Sequence, residues 1–161
     1  METGDMLPPL TLVLADGAPI DLADRHGRGL VLYFYPKADT TGCTREAQEF
    51  SQLSDAFDRA GVDVVGVSRD APARLAKFAA KHALTVRLAS DEDGTASAMF
   101  GTWVEKQMYG RRYMGVERAT FRFDAGGTLV RSWQKVKVPG HAAAVFESIA
   151  DTGRGAGSDH D

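Results

Sequence analysis

Two uninterrupted apolar runs restrict this chain more than anything else in it. Leu30 to Tyr35 is six consecutive apolar residues, and Val62 to Val67 is nearly so. Runs of this length suit strands buried on both faces, as in the middle of a sheet covered by helices. Between them Ala47, Phe50, Leu53, Phe57 and Ala60 recur at spacings of three and four. Arg45, Glu49, Gln52, Asp55 and Arg59 fill the opposite face, and Gly61 follows where a helix should stop. Strand, amphipathic helix, strand is a βαβ unit, so the two strands are expected to be parallel neighbours.

The rest of the chain can be read around that unit. Leu10 to Leu14 predicts a first strand, turned by Asp16-Gly17 into a short strand near Ile20-Asp21-Leu22. A second helix is expected from Ala71-Pro72 to about His82, with proline at its first position. A strand near Val86 to Ala89 and a short helix from about Gly94 to Phe100 come next. Trp103 to Gly115 shows no clear period and carries Lys106, Arg111 and Arg112, which predicts a long, solvated surface loop. Ala119, Phe121 and Phe123 then alternate with Arg118, Thr120 and Arg122, the pattern of a half-buried strand. Asp124-Ala125-Gly126-Gly127 turns the chain into a partner strand, Leu129 to Trp133, and His141 to Ala150 predicts a last helix. Three glycines follow Asp151 among small and charged residues, as in a frayed end. The expectation is one domain over residues 1–150 with a flexible tail over 151–161. Its class is α/β of the thioredoxin-like type: a central mixed β-sheet flanked by helices, with an N-terminal β-hairpin.

Composition removes several function classes. The net charge of −3 over 161 residues argues against nucleic acid as the main partner. The longest apolar runs are strand-sized, so no membrane span is expected. The N-terminus is acidic and polar, unlike a signal peptide. Cys43 is the only cysteine, so no internal disulfide can form and a reducing, cytoplasmic location is expected. His26, His82, His141 and His160 are scattered without metal-ligand spacing, and neither a P-loop nor a dinucleotide fingerprint occurs. No cofactor or metal is expected.

Cys43 stands where its sulfur is easily ionised. An apolar run stops at Pro36, a polar loop follows, and a helical pattern opens with the cysteine in its first turn. The thiolate is the nucleophile, and the positive end of a helix lowers a cysteine pKa from about 8.5 into a range of roughly 3.5–7.5. Pro36 can shield the sulfur, and Thr40 can place a hydroxyl beside it that both donates and accepts. Backbone N–H groups at the helix start can bind a polarised oxygen, and a cation should complete the site. Glu46, one turn later, suits the helix dipole by a few tenths to ~1 kcal/mol. Arg118 heads the polar face of its strand, where most arginines contact water, and Trp103 and Trp133 read as packing residues.

Pro36, Thr40 and Cys43 match the Pro-x-x-x-Thr/Ser-x-x-Cys motif of peroxiredoxins. Tyr33-Phe34-Tyr35-Pro36-Lys37 through Gly42-Cys43-Thr44-Arg45-Glu46-Ala47 resembles their Q-type subgroup, the bacterioferritin comigratory proteins. The similarity continues through Gly66-Val67-Ser68-Arg69-Asp70, Ser90-Asp91-Glu92-Asp93-Gly94, Trp103-Val104-Glu105-Lys106 and Gly115-Val116-Glu117-Arg118. It runs in order over roughly residues 5 to 150. The resemblance implies that Cys43 is the nucleophile, that Thr40 and Arg118 bind the peroxide, that Pro36 shapes the pocket, and that Glu46 orients the arginine. By the same resemblance Trp103 borders the pocket.

The chain departs from many relatives at Gln48, where they carry a resolving cysteine. The implied chemistry is therefore of the one-cysteine kind, with a sulfenic acid reduced by an external thiol: thioredoxin, glutaredoxin or glutathione. Over-oxidation at excess peroxide should be ready, because no second thiol competes. The oligomeric expectation is a monomer or a weak dimer. Two other readings stay open on the residues alone: a peroxide sensor that relays oxidation to another protein, and a thioredoxin-fold binding module whose cysteine is inert.

Overall fold

Neighbouring side chains of one strand enter different cores, and this is why a run of six apolar residues is stable here. In the computed structural model, which describes the backbone of residues 1–158 and the side chains of residues 1–149, Gly29–Phe34 is a fully buried strand. Leu30, Leu32 and Phe34 join one apolar cluster, while Val31, Tyr33 and the following Tyr35 join the other. The period of two is present but concealed, because both faces are covered.

The elements run β1 (Thr11–Leu14), β2 (Pro19–Asp21), β3 (Gly29–Phe34), α1 (Thr41–Gln52), α2 (Ser54–Arg59) and β4 (Val62–Ser68). They continue with α3 (Pro72–Lys81), β5 (Arg87–Ser90), α4 (Thr95–Met99), β6 (Trp103–Met108) and β7 (Arg111–Val116). The last are β8 (Ala119–Phe123), β9 (Leu129–Trp133) and α5 (His141–Ser158). Seven strands form a mixed sheet in the order β2-β1-β5-β4-β3-β8-β9. β3 and β4 are parallel neighbours, from Gly29 opposite Val62 to Phe34 opposite Val67, as the βαβ pattern requires. β1 and β2 form the expected N-terminal hairpin. Helices flank the sheet, so the architecture is the α/β sandwich anticipated from the element order.

Three expectations need correction. The helix read from Ala47 to Ala60 is two helices. It breaks at Leu53, whose N–H turns back to the carbonyl of Phe50 at 3.1 Å, and Phe57 N–H restarts the ladder on Leu53 at 2.9 Å. Hydroxyls take up helix carbonyls around the break: Ser54 donates to the Phe50 carbonyl, and Thr85 donates to the Ser51 carbonyl. Phe50 and Phe57 still reach the same core, ring centroids 6.1 Å apart.

The supposed loop from Trp103 to Gly115 is a two-stranded ribbon, β6 and β7, paired only with itself. A two-residue turn closes it, with Tyr109 at φ 52 and Gly110 at φ 77, the left-handed pair that such hairpins need. Most of its residues are exposed, so burial imposes no alternation on the sequence. The third correction is β8, which is buried on both faces instead of one. It lies between β3 and β9, and the Thr120 hydroxyl bonds to His141 Nε2 at 2.7 Å beneath α5.

The expected tail over 151–161 falls on positions whose side chains, and from 159 whose backbone, lie outside the described residues. His160 is among them. Among the described residues no helix is long and apolar enough to cross a membrane.

Candidate active site

The sheet topology brings the end of β3 and the start of β8 together. These strands are antiparallel, with Phe34 opposite Ala119. The loop leaving β3 therefore emerges beside Arg118, the residue just before β8. That loop carries Pro36 and Thr40 and then becomes α1, in which Cys43 is the third residue. The first intrahelical bond joins Thr44 N–H to the Thr40 carbonyl at 2.8 Å, so the N–H groups of Thr41, Gly42 and Cys43 have no acceptor within the helix. They present the positive end of α1 around the sulfur.

Cys43 is 1 % exposed, in the cluster that holds Tyr33, Tyr35, Ala38 and Phe50. Arg118 joins it to Glu46. Its Nη2 donates to Cys43 Sγ at 3.2 Å, and its Nη1 donates to Glu46 Oε1 at 2.6 Å. Glu46 is also 1 % exposed, one turn along α1 from the cysteine. Gly42 fits tightly here: a Cβ on it would stand 3.3 Å from Arg118 Nη2. Burial would weaken the hold of Arg118 on its proton, but the negative charges of Glu46 and Cys43 outweigh it and raise its pKa. Burial pushes the Glu46 carboxyl up to about 7, even though Arg118 favours the anion.

Thr40 is the residue before α1, yet its hydroxyl does not cap the helix. It donates to the Lys37 carbonyl at 2.9 Å, which leaves its lone pairs as acceptors. Pro36 is half-buried and lines a cavity with Lys37, Arg69, Trp103 and Lys106. Trp103 lines the same cavity, with the Arg69 guanidinium 4.4 Å from its ring centroid.

Several supporting residues were not singled out from the sequence. Asp39 has a left-handed φ of 65, and its carboxylate is held to the end of α3 by Lys81 at 2.9 Å and His82 at 2.8 Å. Aspartate tolerates that conformation better than most residues, which was the one local clue. Asp70 accepts from Ala38 N–H and from the Ser68 hydroxyl, both at 2.8 Å, and pairs with Arg74 at 3.0 Å. The loop before Cys43 is thus fastened to β4 and α3.

The other arginines of α1 and β8 are placed differently. Arg45 is exposed and pairs with Glu49 at 3.0 Å, and Arg122 lies further along β8, opposite Val31 and Arg131. Among the described residues no histidine is bonded to the sulfur: His26 pairs with Asp24, His82 with Asp39 and His141 with Thr120. Burial drives His141 down to about 4, which keeps it neutral. Among the described residues no cluster of His, Cys, Asp and Glu could hold a metal ion. Gln48 is exposed on α1 and borders a cavity shared with His82.

Comparison with known proteins gives a consistent result. The AhpC/TSA family matches residues 3–132. A peroxiredoxin Bcp of Xanthomonas campestris is 42 % identical over 140 residues, which is 87 % of this chain and 88 % of that one. The structure of the X. campestris bacterioferritin comigratory protein, solved for its alkyl peroxide reduction activity, superposes with a TM-score of 0.85. That match has 39 % identity and covers 92 % of this chain and 99 % of the other. A cysteine-to-serine mutant of Xylella fastidiosa PrxQ superposes with a TM-score of 0.91 at 36 % identity, covering 95 % and 98 % of the two chains.

Proposed function

The chain belongs to the AhpC/TSA family and is a thiol-dependent peroxidase of the Bcp/peroxiredoxin Q kind, and we propose that Cys43 is its nucleophile. Thr40 and Arg118 bind and polarise the peroxide, Pro36 shapes the pocket, and Glu46 orients Arg118. The observation that carries these assignments is the guanidinium held between Cys43 Sγ at 3.2 Å and Glu46 Oε1 at 2.6 Å.

The thiolate attacks the terminal oxygen of the hydroperoxide. The S–O bond forms as the O–O bond breaks, and the electron pair of that bond leaves with the departing oxygen. That oxygen takes a proton and departs as water or an alcohol. Arg118 and the unpaired N–H groups of α1 stabilise the charge that develops on the leaving oxygen. Thr40, its own proton committed to Lys37, accepts the hydrogen bond of the peroxide O–H. Cys43 is left as a sulfenic acid, which an external thiol reduces.

Hydrogen peroxide and small organic hydroperoxides are the proposed substrates. The reductant is an external thiol of one of three classes: thioredoxin, glutaredoxin or glutathione. Residues 1–150 form the catalytic domain, and the protein works in the cytoplasm as a monomer or a weak dimer. The test is stopped-flow mixing of reduced protein with hydrogen peroxide, followed by Trp fluorescence, beside a Cys43→Ser variant. The reduced protein should give one fast phase and the variant none. Peroxide consumption that survives in Cys43→Ser would overturn the assignment.

A further inference from the structure

With one cysteine, the chain contains no donor for the second half of its cycle. The sulfenic acid must meet a thiol from outside, yet Cys43 is 1 % exposed. A sulfur on a broad protein surface does not reach it in this conformation. A small thiol can, provided that a cavity beside the site receives it. Pro36 and Lys37, from the loop before Cys43, line a cavity of about 430 Å³ with Arg69 and with Trp103, Lys106 and Met114. That volume falls in the range of roughly 300–1,000 Å³ typical of small-molecule sites.

The charge of this cavity is one-sided. Lys37, Arg69 and Lys106 line it, against a single carboxylate, Glu92. None of the three cations is in an ion pair among the described residues. Arg69 is spread over the Trp103 ring, its Nη2 touches only the backbone carbonyl of Glu92 at 3.4 Å, and its Nε is buried without a partner. Lys106 Nζ donates to the Val116 carbonyl at 2.6 Å. Burial and the neighbouring Arg118 both disfavour its charge, and a carboxylate in the cavity would offset both. Trp103, Tyr113 and Met114 supply apolar wall for the body of such a ligand.

We propose that this cavity seats the reductant, and that the reductant is a small thiol bearing carboxylates, of the size and charge of a thiol tripeptide. The proposal rests on the reading of Cys43 as the residue oxidised by peroxide. The first thiolate attacks the sulfenic sulfur and displaces hydroxide, which takes a proton and leaves as water. A mixed disulfide with Cys43 remains. A second thiolate attacks the small molecule's sulfur, the disulfide forms between the two small thiols, and Cys43 departs as a thiolate beside Arg118. Two thiols thereby lose the two electrons that the peroxide gained.

Oxidise the protein with one equivalent of hydrogen peroxide and confirm the sulfenic acid by mass spectrometry. Then mix it at low ionic strength with 3-mercaptopropionate, 2-mercaptoethanol or cysteamine at equal thiolate concentration, and time the mixed disulfide. The net charge of −3 repels anions overall, so a preference for the anionic thiol has to be local. The expected rates fall about tenfold from mercaptopropionate to cysteamine, and glutathione behaves as the anion. A Lys37→Gln/Lys106→Gln variant should compress that ratio to about threefold or less. Lys77→Gln, an exposed charge change on α3, should leave the ratio as it is. Equal rates for all charges, an unchanged ratio in the double variant, or reduction only by a protein dithiol would each overturn the proposal. A charge preference seen only when carboxylate-bearing hydroperoxides oxidise Cys43 would overturn it as well, by moving the anion site to the first substrate. If Cys43 forms no sulfenic acid at all, the assigned function fails first and takes this proposal with it.

Discussion

On one face of the sheet Leu30, Leu32, Phe34, Phe121 and Phe123 meet Phe100 and Val116 in an apolar cluster. On the other, Val31, Tyr33 and Tyr35 share their cluster with Cys43, and Glu46, Arg118 and His141 are buried or half-buried beside it. The second face also holds polar atoms with no hydrogen-bond partner among the described residues: the hydroxyl of Tyr33 and Oε2 of Glu46. Each such group is penalised by roughly 1–3 kcal/mol relative to a paired one. The first face therefore supplies stability, and the second spends some of it on holding charge near a sulfur.

The sharpest way to break this contrast is Phe121→Ala. Phe121 is 2 % exposed, so the truncation should lower unfolding stability by about 3–5 kcal/mol in urea melts. Peroxide reactivity per folded molecule should stay unchanged. A proportionate loss of reactivity would show that the two faces are not separable. Arg118→Ala should do the reverse, slowing oxidation of Cys43 by about 10²–10³-fold in stopped flow. Arg118→Lys should recover little, because an ammonium cannot donate in parallel to Sγ and to Glu46.

A smaller effect separates the titrating groups. Folded Glu46 has its pKa at about 7 against 4.5 for an ordinary carboxyl, so the folded state binds the extra proton between those values. Stability contributed by the protonated form is present below 4.5 and is lost as pH rises through 7. His141 runs the other way. Its folded pKa of about 4, against 6.5, means that stability is lost as pH falls from 6.5 toward 4. In Glu46→Gln only the His141 slope remains, so stability should rise with pH over that range by at most about 1.4 kcal/mol per unit. Urea midpoints across the range will show whether the slope steepens relative to the unmodified chain. The smallest expected change is at Gly42→Ala. A Cβ 3.3 Å from Arg118 Nη2 should nudge the guanidinium and slow peroxide oxidation by about threefold, with little loss of stability.

How much was legible beforehand follows the range of the forces involved. β3, β4 and α1 were visible because burial imprints a period on contiguous residues, and Cys43 could be placed in the first turn of α1 from that alone. The meeting of Glu46 with Arg118 spans 72 residues of sequence. No local pattern encodes it, and only the resemblance to a family anticipated it. The ribbon β6–β7 escaped because it faces water on most sides, although Tyr109-Gly110 offered a turn signal. Thr120 and Arg122 gave β8 a polar face that α5 and β9 then cover, a burial decided by elements far along the chain. Asp39 and Asp70 act through contacts with α3 and β4 that no spacing announces.

The ribbon β6–β7 shares no ladder bond with the seven-stranded sheet. Its tip can be lengthened, shortened or exchanged without disturbing the framework that fixes the oxidisable centre. On the proposed seating of the reductant, the choice of thiol and the reactivity of Cys43 are carried on separable parts, and a lineage or a protein engineer can rewrite the first while inheriting the second intact.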